Sequence, residues 1–179
     1  MKKAAITILV LLAIVLIAVR INNRETEKDF LVSQLAEVEA LFDHRKTANL
    51  SVSQANVEWH LDHTLKTINR ISSALIASDP ERYQSKFNMQ RVFVHTTGHI
   101  PRGAAQSPAN VRPPEQIELD SLHAQLELAR TNLSLIHNLT EKAYFEHPVF
   151  DHLDRDQTRR FLEVHTNHHL KIIKDIMAK

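Results

Sequence analysis

Apolar positions recur every three or four residues through most of this chain, the period of a helix with one buried face. Phe30, Leu31, Leu35, Val38, Leu41 and Phe42 predict a first helix within residues 25–45, and the polar run 46–53 ends it. Ser51 or Ser53 is placed to cap a second helix over about 52–77, with Val57, Leu61, Leu65, Ile68, Ile71, Leu75 and Ile76 as its stripe. Asp79-Pro80 stops that helix. A shorter helical piece over about 81–94 carries Tyr83, Phe87, Met89, Val92 and Phe93. The irregular segment 96–114 follows and holds both glycines and four of the six prolines. A loop of that length inside a compact domain implies function or disorder. Leu119, Leu122, Leu126, Ala129, Leu133, Ile136 and Leu139 resume the helical pattern over 117–142. Residues 144–153 read as a tight linker that cannot be helical through Pro148. Asp154 or Asp156 then caps a last helix reaching about Met177. Four substantial helices joined by loops predict an all-α, four-helix bundle.

Ahead of these helices the pattern changes. Residues 4–19 are apolar except Thr7, with Lys2 and Lys3 before them and Arg20 after. At ~1.5 Å per residue this run reaches roughly 24 Å, short of a ~30 Å hydrocarbon core. Lys3 and Arg20 can snorkel and Ile21 extends the run, so a span is expected. Ile17-Ala-Val-Arg offers no small-x-small cleavage pattern, which favours an N-terminal transmembrane helix or uncleaved signal over 1–24. Flanking positive charges are nearly balanced, and the Met-Lys-Lys start points to an amino terminus inside. These features predict a single-pass protein of the cytoplasmic membrane with an extracytoplasmic domain. Residues 25–50 would be a connecting helix and linker, and 51–179 the helical bundle.

Composition narrows the chemistry. The absence of cysteine excludes disulfides, thiolate ligands, iron–sulfur clusters and a Cys nucleophile. Lys and Arg number 22 against 21 Asp and Glu, a net charge of +1 without a basic block, so nucleic acid is not an expected partner. Twelve histidines, by contrast, are many for 179 residues.

His165 and His169 lie four apart beside Phe161, Leu162, Ile172, Ile173 and Ile176, so both imidazoles share the inward face of the last helix. Two imidazoles facing a core need polar partners, and a shared metal ion serves both. A third ligand is expected from another helix. At ~100° per residue, His60 sits about 60° from the centre of its apolar stripe and His63 about 120° away, so His60 is the inward one. His168 falls about 80° off its stripe, in a supporting or surface role. Thr166 stands where an H-E-x-x-H site would have glutamate, which argues against a zincin-type protease. His147 beside Pro148 is expected to fix a turn through backbone hydrogen bonds, and Arg102 is a candidate for anion recognition.

Trp59-His-Leu on an early helix, with His165 and His169 on the last, resembles the DinB-like superfamily of four-helix-bundle metalloenzymes. Phe145-Glu-His-Pro-Val-Phe, the run from Arg160 to Ile176 and the loop ending Val111-Arg-Pro-Pro are similar to a bacterial subfamily known as a domain of unknown function. The resemblance covers about 51–176 and is strongest after Tyr144. It departs at Asp151, where the family pattern has glycine, and the family does not normally begin with a membrane span. The resemblance implies His60, His165 and His169 as the metal triad, the positions the helical wheel selects. It also implies low-molecular-weight thiols as cosubstrates, since characterised members of the wider superfamily include thiol-dependent transferases and isomerases.

The expected function is therefore a divalent-metal-dependent enzyme of the DinB type, thiol transferase or hydrolase-like, with Zn, Ni or Fe as cofactor. The alternative is a non-catalytic, metal-stabilised, membrane-anchored binding module. Expected partners are the membrane, through the N-terminal helix, and a low-molecular-weight thiol or other small molecule; a homodimer also fits.

Overall fold

The computed structural model describes residues 6–15, 29–103 and 106–178, and its contacts divide the chain into two units, 1–30 and 31–179. In the first unit residues 6–15 are helical and exposed. Ten residues at ~1.5 Å each reach ~15 Å, half of a hydrocarbon core. Among the described residues no helix is long and apolar enough to cross a membrane. This overturns the expected transmembrane helix, and with it the membrane as partner and the single-pass, extracytoplasmic placement. The remainder of the expected anchor, 1–5 and 16–24, lies outside the described residues.

The second unit runs α1 (Val32–Ala40), α2 (Val57–Ile76), α3 (Met89–Thr97), α4 (Leu119–Ile136), β1 (Tyr144–His147), β2 (Asp151–Asp154) and α5 (Arg155–Met177). It is mostly helical but not all-α, which corrects the expected four-helix bundle. Where a linker was expected, β1 and β2 form an antiparallel hairpin that pairs Phe145 with Leu153 and His147 with Asp151. Leu153 is fully buried, so this short sheet contributes to the core. Asp151 closes the Pro148-Val149-Phe150 loop in the left-handed region, at φ 60°. His147 Nδ1 accepts the N–H groups of Val149 (3.1 Å) and Phe150 (3.2 Å), holding the turn as its position beside Pro148 suggests.

Helix α2 packs against both α4 and α5 and is the central element. Its cap is Asn56, whose Oδ1 accepts the Trp59 N–H at 3.0 Å, a few residues beyond the expected serines. Leu61, Leu65, Ile68 and Leu75 are fully buried, as are Leu122, Leu126 and Ile136 of α4. A polar ladder crosses from α4 to α2: Asn132 Nδ2 donates to Asn69 Oδ1 (3.0 Å), Asn69 Nδ2 to the Gln125 carbonyl (2.9 Å), and Gln125 Nε2 to Asp62 Oδ1 (2.7 Å).

The expected helix over 81–94 begins late. Pro80–Arg82 is a 3-10 turn, 83–88 has no regular structure, and Asn88 caps α3 by accepting the Arg91 N–H at 2.9 Å. Buried Arg91 donates to the carbonyls of Phe150 (3.1 Å), His152 (3.2 Å) and Lys86, binding α3 to the hairpin. Gly98 ends α3 at φ 63°, a conformation open to glycine at little cost. Asp154 and Gln157 form a capping box that starts α5 directly from β2.

Candidate metal centre

Helices α2 and α5 bring four imidazoles together. His63, His165 and His169 each offer a ligand atom, and these atoms all lie within 4.8 Å of one another. His165 Nε2 and His169 Nε2 are 3.3 Å apart, as the four-residue spacing on one helix face requires. His60 joins through its own contact, with its Nδ1 3.0 Å from His169 Nδ1. The expected ligands His60, His165 and His169 are thus neighbours, and His63 stands among them. His60, His63 and His169 are only 4 %, 3 % and 7 % exposed, and His165 is half-buried.

The hydrogen bonds constrain which nitrogen each ring can offer. The Val111 carbonyl lies 2.9 Å from His63 Nδ1, so that nitrogen carries the proton and Nε2 keeps its lone pair. His60 Nε2 lies 3.1 Å from Ser53 Oγ, so both of its nitrogens have partners. The Nδ1 of His165 is buried without one. Trp59 stacks on His63 with centroids 4.9 Å apart, and Phe161 flanks His165 at 5.6 Å.

Burial is the first cause of low basicity throughout. It holds His165 and His169 well below the ordinary imidazole value, with neighbouring histidines adding to the effect. His60 is lowered to about 4 by burial, then by His63, His168 and Arg102. His63 is also lowered by burial, against an upward pull from the Val111 carbonyl and Asp62. All four rings are therefore neutral at neutral pH, the state in which an imidazole can ligate. The donor set is chemically suited to a divalent transition metal: neutral nitrogen, convergent and free of proton competition.

Residues 32–175 match the family described as protein of unknown function DUF1569. The chain belongs to that family. No curated protein and no solved structure matches it. The DUF1569 match takes in α1, which the sequence pattern assigned to a connecting segment, and both histidine-bearing helices.

Helical-wheel reasoning placed His63 on a flank, yet it is buried as fully as His60. The wheel assumes one buried stripe, but α2 also buries Glu58, Asp62, Thr64, Thr67, Asn69 and Ser72. The available signal was the spacing of His60 and His63, which puts both on neighbouring turns of one face. Asp62, next to His63 in sequence, pairs with Lys66 Nζ (2.6 Å) and Gln125 Nε2 (2.7 Å). Arg102 is tied to Asp175 Oδ2 at 2.5 Å, and its charge reaches His60 and His168. His95 lies in the last turn of α3 and is lowered to about 4 by burial, then by Arg160 and Arg91.

Proposed function

We propose that this domain carries a divalent transition-metal centre of the DinB type, with His63, His165 and His169 as donors and a small-molecule thiol or water as the group activated there. The observation that carries this reading is the 4.8 Å group of neutral imidazoles contributed by two helices. His63 is preferred to His60 because it has a nitrogen to spare, while Ser53 and His169 occupy both nitrogens of His60. When bound, a divalent ion on three imidazoles supplies Lewis acidity at an open position, lowering the pKa of a thiol or water or polarising a carbonyl. The chain's own residues prepare that position. Val111 fixes the tautomer of His63, and Trp59 and Phe161 wall the cluster with aromatic surface.

Zn, Ni and Fe all suit nitrogen donors, and affinity order does not choose among them. The test is elemental analysis of stripped and reloaded protein beside a His165→Ala variant. One equivalent of metal is expected in the first and none in the second; equal content in both would remove the reading.

One observation favours a second reading, a non-catalytic module stabilised by its metal. Asp62 is engaged by Lys66 and Gln125, and Glu163 by Arg160 at 2.6 Å, so neither carboxylate is free to move a proton. A screen of loaded protein with thiols and electrophiles separates the two. Metal-dependent turnover excludes the second reading; metal-dependent stability without turnover supports it.

A further inference from the structure

We infer that Ser53 and His60 are positioning residues that set which nitrogen of His169 faces the donor cluster, an inference that rests on the metal reading above. His60 is almost fully buried, yet it stands outside the group of three donors. Its ring bridges two partners instead. Nδ1 meets His169 Nδ1 at 3.0 Å and Nε2 meets Ser53 Oγ at 3.1 Å. Ser53 is itself held in place: its N–H donates to the Asn49 carbonyl (3.0 Å) and its Oγ accepts the Ala55 N–H (3.1 Å).

Each neutral imidazole carries one proton, so these contacts allow two proton orders. In the first, His169 Nδ1–H donates to His60 Nδ1, and His60 Nε2–H donates to Ser53 Oγ. Ser53 Oγ then accepts from both His60 and Ala55 N–H, using both lone pairs. His169 Nε2 is left with a free lone pair beside His63 and His165. In the second, Ser53 O–H donates to His60 Nε2 and His60 Nδ1–H donates to His169 Nδ1. The proton of His169 then sits on Nε2 and points at His165 Nε2, 3.3 Å away. Only the first order leaves His169 a donor in the cluster. A ligating imidazole whose other N–H is hydrogen-bonded is fixed in orientation and made more basic, and losing such a partner lowers metal affinity roughly 10–100-fold.

The experiment uses the full chain, with Zn as the probe and a chromophoric chelator as competitor. Ser53→Ala is expected to weaken Zn binding about ten-fold and His60→Phe by more, with Ser53→Thr restoring wild-type affinity. A second readout is the nitrogen NMR spectrum of histidine-labelled, metal-free protein. Wild-type His169 is expected to carry its proton on Nδ1, and Ser53→Ala to move part of that population to Nε2, a change that a merely packing role would not produce. Should His60→Phe fail to fold, the two Ser53 variants and the tautomer signal decide the matter. Wild-type Zn binding with unchanged affinity and tautomer in Ser53→Ala overturns the positioning role and leaves the metal reading standing. Failure of wild-type protein to bind Zn overturns both.

Discussion

His63 Nδ1 and the carbonyl oxygen of Val111 lie 2.9 Å apart, joining α2 to a 3-10 turn at Ala109–Val111. That turn belongs to the long irregular segment whose glycines and prolines gave no hint of a role beyond its length. Val111 is buried at 7 % exposure, so the loop closes over α2 and leaves His63 one tautomer. A segment without regular structure thereby decides the chemistry of a helix residue 48 positions earlier.

If that tautomer makes His63 a donor, His63→Ala should lose metal as completely as His165→Ala. Free metal at about 100 times its Kd stabilises the folded state by about 2.7 kcal/mol. For a domain of this size that amounts to a rise in Tm of roughly 5–10 °C. His63→Ala is expected to reduce the rise to under about 1 °C, read by thermal unfolding with and without chelator. The opposite result, in which His60→Ala abolishes the rise and His63→Ala keeps it, would return the third position to His60.

The histidines of α5 were legible from sequence because the C-terminal half of that helix, from His165 on, has the one-sided burial the period assumes. Leu162, Ile173 and Ile176 are buried with His169, while Asn167 and Lys171 face solvent. α2 broke the assumption because it is covered by α4, α5 and the 109–111 turn together, and no local pattern announces three neighbours. The hairpin was hidden for another reason. Its strands are four residues each, too short for alternation to stand out, and its closing residue is an aspartate at φ 60°. The late start of α3 follows from Asn88, which caps the helix and also donates to the Val149 carbonyl (2.9 Å) and Asp151 Oδ2 (3.0 Å). That double use is a tertiary fact invisible to helix propensity.

Asp151 offers a direct measure of hairpin strain. An L-residue in the left-handed region costs roughly 1–2 kcal/mol, and aspartate tolerates it better than most. Glycine removes that cost but also removes the bond from Asn88. Asn88 keeps the Val149 carbonyl as an acceptor, so its amide is not orphaned. A bond of this kind contributes about 1 kcal/mol net, and the two effects nearly cancel. Asp151→Gly is therefore expected to stay within ~1 kcal/mol of wild type in urea unfolding, while Asp151→Val loses ~2 kcal/mol or more. A valine variant as stable as the glycine one would mean that the turn relaxes out of the left-handed conformation.

His147 gives the pH dependence its clearest sign. Its ring lies 4.4 Å from Phe150 in a stacked arrangement, and burial lowers its pKa to about 4. In the unfolded chain an imidazole titrates near 6.5. Above about 6.5 both states are neutral at this residue and its contribution is complete. Between about 6.5 and about 4 the unfolded chain binds a proton that the folded chain refuses, so stability falls as the solution is acidified. One such group gives a slope of about 1.4 kcal/mol per pH unit near pH 5. His95 and His168 are also lowered to about 4, so the metal-free protein should show a slope steeper than that single-proton value. In His147→Phe the stacking surface is kept while the titration is lost, and the slope near pH 5 should drop by about one proton. The same variant leaves the Val149 and Phe150 N–H groups without their acceptor and should lose about 1 kcal/mol at pH 8, where His147 is neutral in both states. Urea unfolding across pH 4.5–8 separates the two effects, since one is a slope and the other an offset. An unchanged slope in His147→Phe would mean that the proton taken up on unfolding belongs to other residues.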